Sequence, residues 1–251
     1  MKTVAIIQAR MGSKRLPGKV LLPLSGFPVI EHVVRRVKEC KKINSIVIAT
    51  SKSKADLPIV NWCKKNKINF FQGSLNDVLD RYYKASIAYK ADIIVRVTGD
   101  CPVIDPKILD EVIIKFKKKN YDFYSLAGNF PDGLDCQVFT FEALKKSSIE
   151  AKLKSDREHV GTYIENTNRK SFKIGAYKKF RKLSHHRWTL DELRDYKFLK
   201  KIFDKLFVNF NKNFYTKEIL QLLKKEPKLL KINSGIVRNE GYKKSKMLDK
   251  Y

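Results

Sequence analysis

Positions 8 to 19 read Gln-Ala-Arg-Met-Gly-Ser-Lys-Arg-Leu-Pro-Gly-Lys and follow directly on Val4-Ala5-Ile6-Ile7. Four cations, Arg10, Lys14, Arg15 and Lys19, and two glycines, Gly12 and Gly18, therefore stand at the exit of a predicted buried strand. Small residues in such a loop let backbone N–H groups wrap an anion, and the cations add the charge that holds a triphosphate. An exposed basic turn is often only a solvated surface. The concentration of Arg10, Gly12, Ser13, Arg15, Gly18 and Lys19 behind an apolar run favours phosphate binding and makes a nucleotide the expected ligand. The spacing fits neither G-x-x-x-x-G-K-[ST] nor G-x-G-x-x-G, which counts against a kinase-like or dinucleotide-binding site.

Two acids stand where they can complete such a site. Asp100 follows the β-type run Asp92 to Val97 through Thr98 and Gly99, and Asp191 follows Arg187-Trp188-Thr189-Leu190, which reads as a final strand. Two carboxylates beside a triphosphate make an oxygen-lined site suited to Mg²⁺, which takes one or two carboxylates and fills its other positions with phosphate and water oxygens. Such an ion neutralises charge and aligns an attacking oxygen with the α-phosphorus. Each aspartate taken alone also reads as the N-cap of a following helix; the pairing of the two favours the metal.

The elements that must position these residues follow from hydrophobic period. Val29, Ile30, Val33, Val34 and Val37 recur on one helical face. A strand is predicted at Ser45 to Thr50, a helix at Asp56 to Asn66, a strand at Ile68 to Phe71, and a helix at Leu75 to Tyr89. Nearly continuous apolar strands alternating with helices predict an α/β fold, a mostly parallel Rossmann-like sheet with helices on both faces. Ligands of such sheets collect beyond the carboxyl ends of the strands, where the opening loop and Thr98-Gly99-Asp100 both emerge. From about Asp122 the pattern loosens, so residues 122–180 are expected to form a small substrate-shaping or dimerisation extension. Residues 214–251 are read as a C-terminal tail of the same single domain, 1–251.

Composition excludes several classes. The chain has 251 residues, 43% of them hydrophobic, enough for a substantial core. No apolar run approaches the ~18 residues of a membrane span, and the N-terminus carries a strand pattern where a signal peptide would show a basic and then an apolar region, so a cytoplasmic location is expected. Cys40, Cys63, Cys101 and Cys136 are too scattered for a zinc site and read as free thiols. Fifty-three basic against 26 acidic residues give a net charge of +27. That charge is spread over nearly every predicted helix, which favours a solvated surface over a polynucleotide groove. Neither a nucleic acid nor a membrane is expected as a partner.

The run from Gln8 to Lys19, the block Arg96-Val97-Thr98-Gly99-Asp100-Cys101-Pro102 and the segment Arg187-Trp188-Thr189-Leu190-Asp191 resemble cytidylyltransferases. The likeness is nearest to the spore-coat polysaccharide branch, related to the synthetases of CMP-activated Kdo and sialic acids. Asp132-Gly133-Leu134-Asp135, Arg157-Glu158-His159-Val160 and Arg238-Asn239-Glu240-Gly241-Tyr242 carry it through the chain. The resemblance implies the nucleotide-diphospho-sugar transferase type of fold and commonly a homodimer. It implies that Arg10 and Lys19 contact the phosphates of CTP, supported by the Gly12-Ser13 backbone and Arg15, while Asp100 and Asp191 hold Mg²⁺. Ala9, Gln72-Gly73, the region from Asp77 to Arg81, and Thr98-Gly99 would border the nucleotide. Asp132, Asp135, Arg157, Glu158 and His159, which fall in the extension expected to roof the cleft, are the residues placed near an anionic acceptor; His159 also reads as a partly buried helix residue. The chain has Glu192-Leu193-Arg194-Asp195 where relatives often continue Thr-Pro-Glu-Asp. The implied reaction is transfer of CMP to an acidic sugar with release of pyrophosphate. A sugar-phosphate nucleotidyltransferase using another base, a nucleotide-sugar glycosyltransferase and a non-catalytic polyanion binder remain as rivals.

Overall fold

The computed structural model describes residues 1–250, so the last residue of the C-terminal tail lies outside the described residues. In chain order the elements are β1 (Thr3–Gln8), β2 (Pro23–Leu24), β3 (Phe27–Pro28), α1 (Val29–Lys38), β4 (Ser45–Ser51), α2 (Leu57–Lys65), β5 (Asn69–Gly73), α3 (Val78–Ala88) and β6 (Ile93–Thr98). There follow α4 (Pro106–Lys118), β7 (Phe123–Leu126), β8 (Gln137–Thr140), α5 (Phe141–Glu150), α6 (Lys154–His159), β9 (Ile174–Tyr177), α7 (Leu193–Leu206), α8 (Thr216–Lys225) and α9 (Glu240–Met247).

Seven strands form one sheet in the order β5-β4-β1-β6-β8-β7-β9. The first four run parallel, and β8 alone is antiparallel to its neighbours β6 and β7. Val4, Ala5, Ile6 and Ile7 are wholly buried because helices cover both faces of the central strands. Side chains alternate between the two layers: Ala5, Ile7, Val95 and Val97 pack with α1, α4 and α7, whereas Val4, Ile6 and Ile94 pack with α3 and α5. Residues 122–180 supply β7, β8 and β9, which widen this sheet. Helix α3 begins three residues later than its period suggests, because Asp77 caps it by accepting from the Asp80 N–H at 2.9 Å. The four cysteines are free and buried. Among the described residues no helix is long and apolar enough to cross a membrane.

The expected final strand at Arg187 to Leu190 is not a strand. The segment is a buried loop with one bridge, Asp132 to Arg187, and a bend at Thr189. The cause lies opposite it, in Gly133. With φ at +104° this residue adopts a conformation open to glycine, and a Cβ there would stand 2.6 Å from the Trp188 carbonyl carbon. The close turn brings Trp188 N–H to the Asp132 carbonyl and then ends the pairing. Trp188 and Leu190, both wholly buried, hold the loop as packing, and the Leu190 N–H donates to the Asp100 carbonyl at 2.8 Å. The loop therefore delivers Asp191 beside Asp100 without belonging to the sheet.

Candidate active site

The basic loop is shaped by its own backbone. Asp56, almost wholly buried, accepts from the Met11 N–H at 2.7 Å and from the Ser51 N–H at 3.1 Å, anchoring the loop to the end of β4. The Ser13 and Gly18 N–H groups both donate to the Met11 carbonyl at 2.9 Å, folding the loop back on itself. Gly18, at φ +70°, turns the chain into a single 3₁₀ turn at Lys19–Leu21 that sends Lys19 inward. Arg10, Gly12 and Lys14 stay exposed, and Arg10 and Lys14 meet no carboxylate among the described residues. The loop thus offers free cations at its rim and one buried ammonium at its base.

That ammonium is the centre of the site. Lys19 Nζ donates to Asp100 Oδ2 and, at 2.8 Å, to Asp191 Oδ1. Asp100 reaches it because Gly99 lets β6 pass tightly over β1: a Cβ on Gly99 would lie 3.0 Å from the Gln8 carbonyl oxygen. Burial works to lower the Lys19 pKa, but the adjacent Asp100 and Asp191 outweigh it and raise it above the usual lysine value. Burial likewise works to raise Asp191, and Lys19, Arg15 and Arg187 together hold it below the usual carboxylate range. Arg15 lies 3.2 Å from Asp191 and 2.7 Å from Glu240 of α9. Two hard oxygens directed at one positive centre are the donor set that a divalent ion takes when phosphate oxygens and water complete its shell. Among the described residues no group of three or more acid, histidine or cysteine side chains is arranged to hold a metal by itself. The residues fit an ion shared with a bound phosphate.

A second cation sits behind the first. Arg187 is paired with Asp132 at 2.7 Å, Asp191 at 2.9 Å and Asp195 at 2.9 Å. Asp195 is wholly buried and also accepts from the Asp191 and Glu192 N–H groups and from Asn233 Nδ2, each at 3.0 Å. It thereby fixes the backbone on which Asp191 stands. Sequence reasoning missed this role, although an acid three residues after Glu192 at a helix start is the pattern of a capping box, which α7 indeed has.

The remaining expected residues divide into those around this centre and those engaged elsewhere. Ala9 is buried, and its N–H donates to the Ala49 carbonyl at 3.1 Å. Gln72 Nε2 donates to the Ser51 carbonyl at 3.4 Å, and Arg81, buried under Gly73, donates to the Ser74 carbonyl at 3.0 Å. Thr98 Oγ1 lies 3.1 Å from Cys101 Sγ. Asp77 is ion-paired with Arg157, so a residue expected beside the nucleoside and one expected beside the acceptor are partners. Asp135 accepts from the Gly133 N–H at 2.9 Å and meets Arg238 at 3.3 Å. Glu158 accepts from Ser245 Oγ at 2.5 Å, and His159 Nε2 lies 3.1 Å from the same hydroxyl, so α9 packs against α6. Burial lowers the His159 pKa; Glu158 opposes this, and the positive fields of Arg96 and Arg10 reinforce it.

Known proteins resemble this chain in sequence and in fold. Residues 4–233 match the family model described as cytidylyltransferase. The chain is 36% identical over 230 residues to the spore coat polysaccharide biosynthesis protein SpsF of Bacillus subtilis, covering 88% of this chain and 94% of that protein. It is 32% identical over 113 residues to a 3-deoxy-manno-octulosonate cytidylyltransferase of Geobacter metallireducens, covering 45% of this chain and 44% of that one. The solved structure of a cytidylyltransferase from Leptospira borgpetersenii superposes with a TM-score of 0.87 at 35% identity, covering 95% of this chain and 100% of the other. A match that spans Asp100, Asp191 and the basic loop, on this sheet, shows that the chain belongs to the cytidylyltransferase family and is a nucleotidyltransferase.

Proposed function

We propose that the protein transfers CMP from CTP to an oxygen of an acidic sugar or a related anionic metabolite, in the biosynthesis of a surface polysaccharide. The observation that carries this reading is the convergence of Asp100 and Asp191 on one cation at the base of the basic loop. The relatives named for spore-coat polysaccharide and for 3-deoxy-manno-octulosonate support the acceptor class. The acceptor hydroxyl gives up its proton to solvent as its oxygen attacks the α-phosphorus, the bond from that phosphorus to the bridging β-oxygen breaks, and pyrophosphate leaves with the electron pair. Mg²⁺ held by Asp100 and Asp191 would supply charge neutralisation for the phosphate oxygens. Arg10, Lys14 and the Gly12-Ser13 backbone orient the triphosphate from the rim, and Arg15 and Lys19 turn from their carboxylates toward its oxygens. Positioning and charge account for most of the rate in such a reaction. A homodimer is the proposed assembly.

A pyrophosphate-release assay of CTP, UTP, GTP and ATP against acidic sugars, sugar phosphates and phosphonates tests the reading. Release with CTP and an acid is expected; equal release with other bases and a sugar phosphate would replace it with the broader sugar-phosphate nucleotidyltransferase.

A further inference from the structure

The arginines around the cleft differ in whether their charge is already answered. Arg15 meets Asp191 and Glu240, Arg157 meets Asp77, Arg187 meets three aspartates, and Arg238 meets Asp132 and Asp135. Arg96 meets no carboxylate within ion-pair distance among the described residues. Its Nε donates to Gln8 Oε1 and its Nη1 to Gln137 Oε1, both at 3.1 Å, and the Tyr82 hydroxyl lies against the same guanidinium. Two neutral amide oxygens fix the plane of the guanidinium and leave its charge unpaired in a half-buried position. An unpaired charge so placed is costly, and a planar anion is what offsets it through charge-assisted hydrogen bonds.

Arg96 stands on β6 between the two halves of the sheet: it pairs in register with Ile6 of β1, the strand the basic loop leaves, and with Gln137 of β8, on the half built from 122–180. Gln137 is held in turn by Glu165 at 3.3 Å and by the close backbone of Gly161, where a Cβ would stand 2.6 Å from the amide nitrogen. Glu165 itself is occupied by Ser125 at 3.1 Å, and burial, the larger influence on it, raises its pKa despite the field of Arg96. His159 lies near enough to feel the positive fields of both Arg96 and Arg10.

We propose that Arg96 is the anchor for the carboxylate of the acceptor, held in aim by Gln8 and Gln137. The inference rests on the proposed transfer to an acidic acceptor and adds the group that selects it. The probes are 2-keto-3-deoxy sugar acids, beginning with 3-deoxy-manno-octulosonate, each compared with its neutral C1 amide in the pyrophosphate-release assay at saturating CTP. The acid is expected to show a KM at least tenfold below that of its amide. Arg96→Gln is expected to raise the KM for the acid about tenfold or more while leaving the KM for the amide and the calorimetric CTP affinity within about twofold. Arg96→Lys, which keeps the charge and loses the fork, is expected to fall between and carries the test if the glutamine variant does not fold. An unchanged KM for the acid in the folded variants, or a loss confined to CTP affinity, overturns the assignment. Equal use of acid and amide by the wild type overturns it while the cytidylyl reading stands, and release with no acid overturns both.

Discussion

Two cations share one carboxylate in this molecule, and their surroundings give them opposite natures. Lys19 and Arg187 both bind Asp191, and both are themselves nearly enclosed, with side chains 11% and 8% exposed. Their other partners differ. Asp100, on the Lys19 side, is 22% exposed, whereas Asp195, on the Arg187 side, is completely enclosed. If Lys19 leaves, water and a ligand can compensate its carboxylates; if Arg187 leaves, Asp195 has only Asn233 and backbone N–H groups. The same ion-pair chemistry is thus an exchangeable counterion on the side facing the basic loop and a structural clamp on the side facing the interior. A buried pair is most destabilising when only one member is removed.

The comparison is broken most severely by Arg187→Met, which is expected to cost about 3–5 kcal/mol of stability in urea unfolding. A loss below 1 kcal/mol would show that Asp195 does not depend on the clamp. Lys19→Met should invert the profile. We expect its stability to fall by only about 1.5 kcal/mol, while kcat/KM for pyrophosphate release from CTP drops about 10²–10³-fold, the scale of losing one charge-stabilising group. Equal stability losses in the two variants would erase the distinction between counterion and clamp.

The smallest effect sharpens the comparison through pH. Asp191 has its pKa depressed in the folded state, so the stability it contributes is complete above the unfolded-state value of about 3.9 and is lost as pH falls through the lower folded value. The stability difference between wild type and Asp191→Asn should therefore be constant from pH 7 to pH 5 and shrink below about pH 4. A difference that grows on acidification would mean that burial, and not Lys19, dominates at this carboxylate.

The legible part of the site was local. Gln8 to Lys19 stood out because its glycines and cations are concentrated within one short stretch behind a strand. Asp100 was visible for a related reason, standing at the end of an unbroken apolar run. Asp77 was equally visible as an acid, but its pairing with Arg157, eighty residues away, left no trace in spacing. Arg96 was quoted within a recognisable block without a role, since nothing in the neighbouring residues says which arginines will find a carboxylate and which will not. The segment Arg187 to Leu190 reads as a strand because a buried loop and a strand can share the same composition. What distinguishes them is the partner across the gap, here Gly133.

Hydrophobic period by itself determined the parallel strands from Thr3 to Thr98 and the helices that cover them, because period records which faces each element must bury, and residue type marked the cluster of cations behind the first strand. Tertiary structure alone decided that Asp191 would be shared between Lys19 and Arg187, and that Arg96 would be left with two amides. Those outcomes depend on which loops the strand order brings together and on how much water each carboxylate keeps, and both are properties of packing across distances that no local pattern of residues encodes.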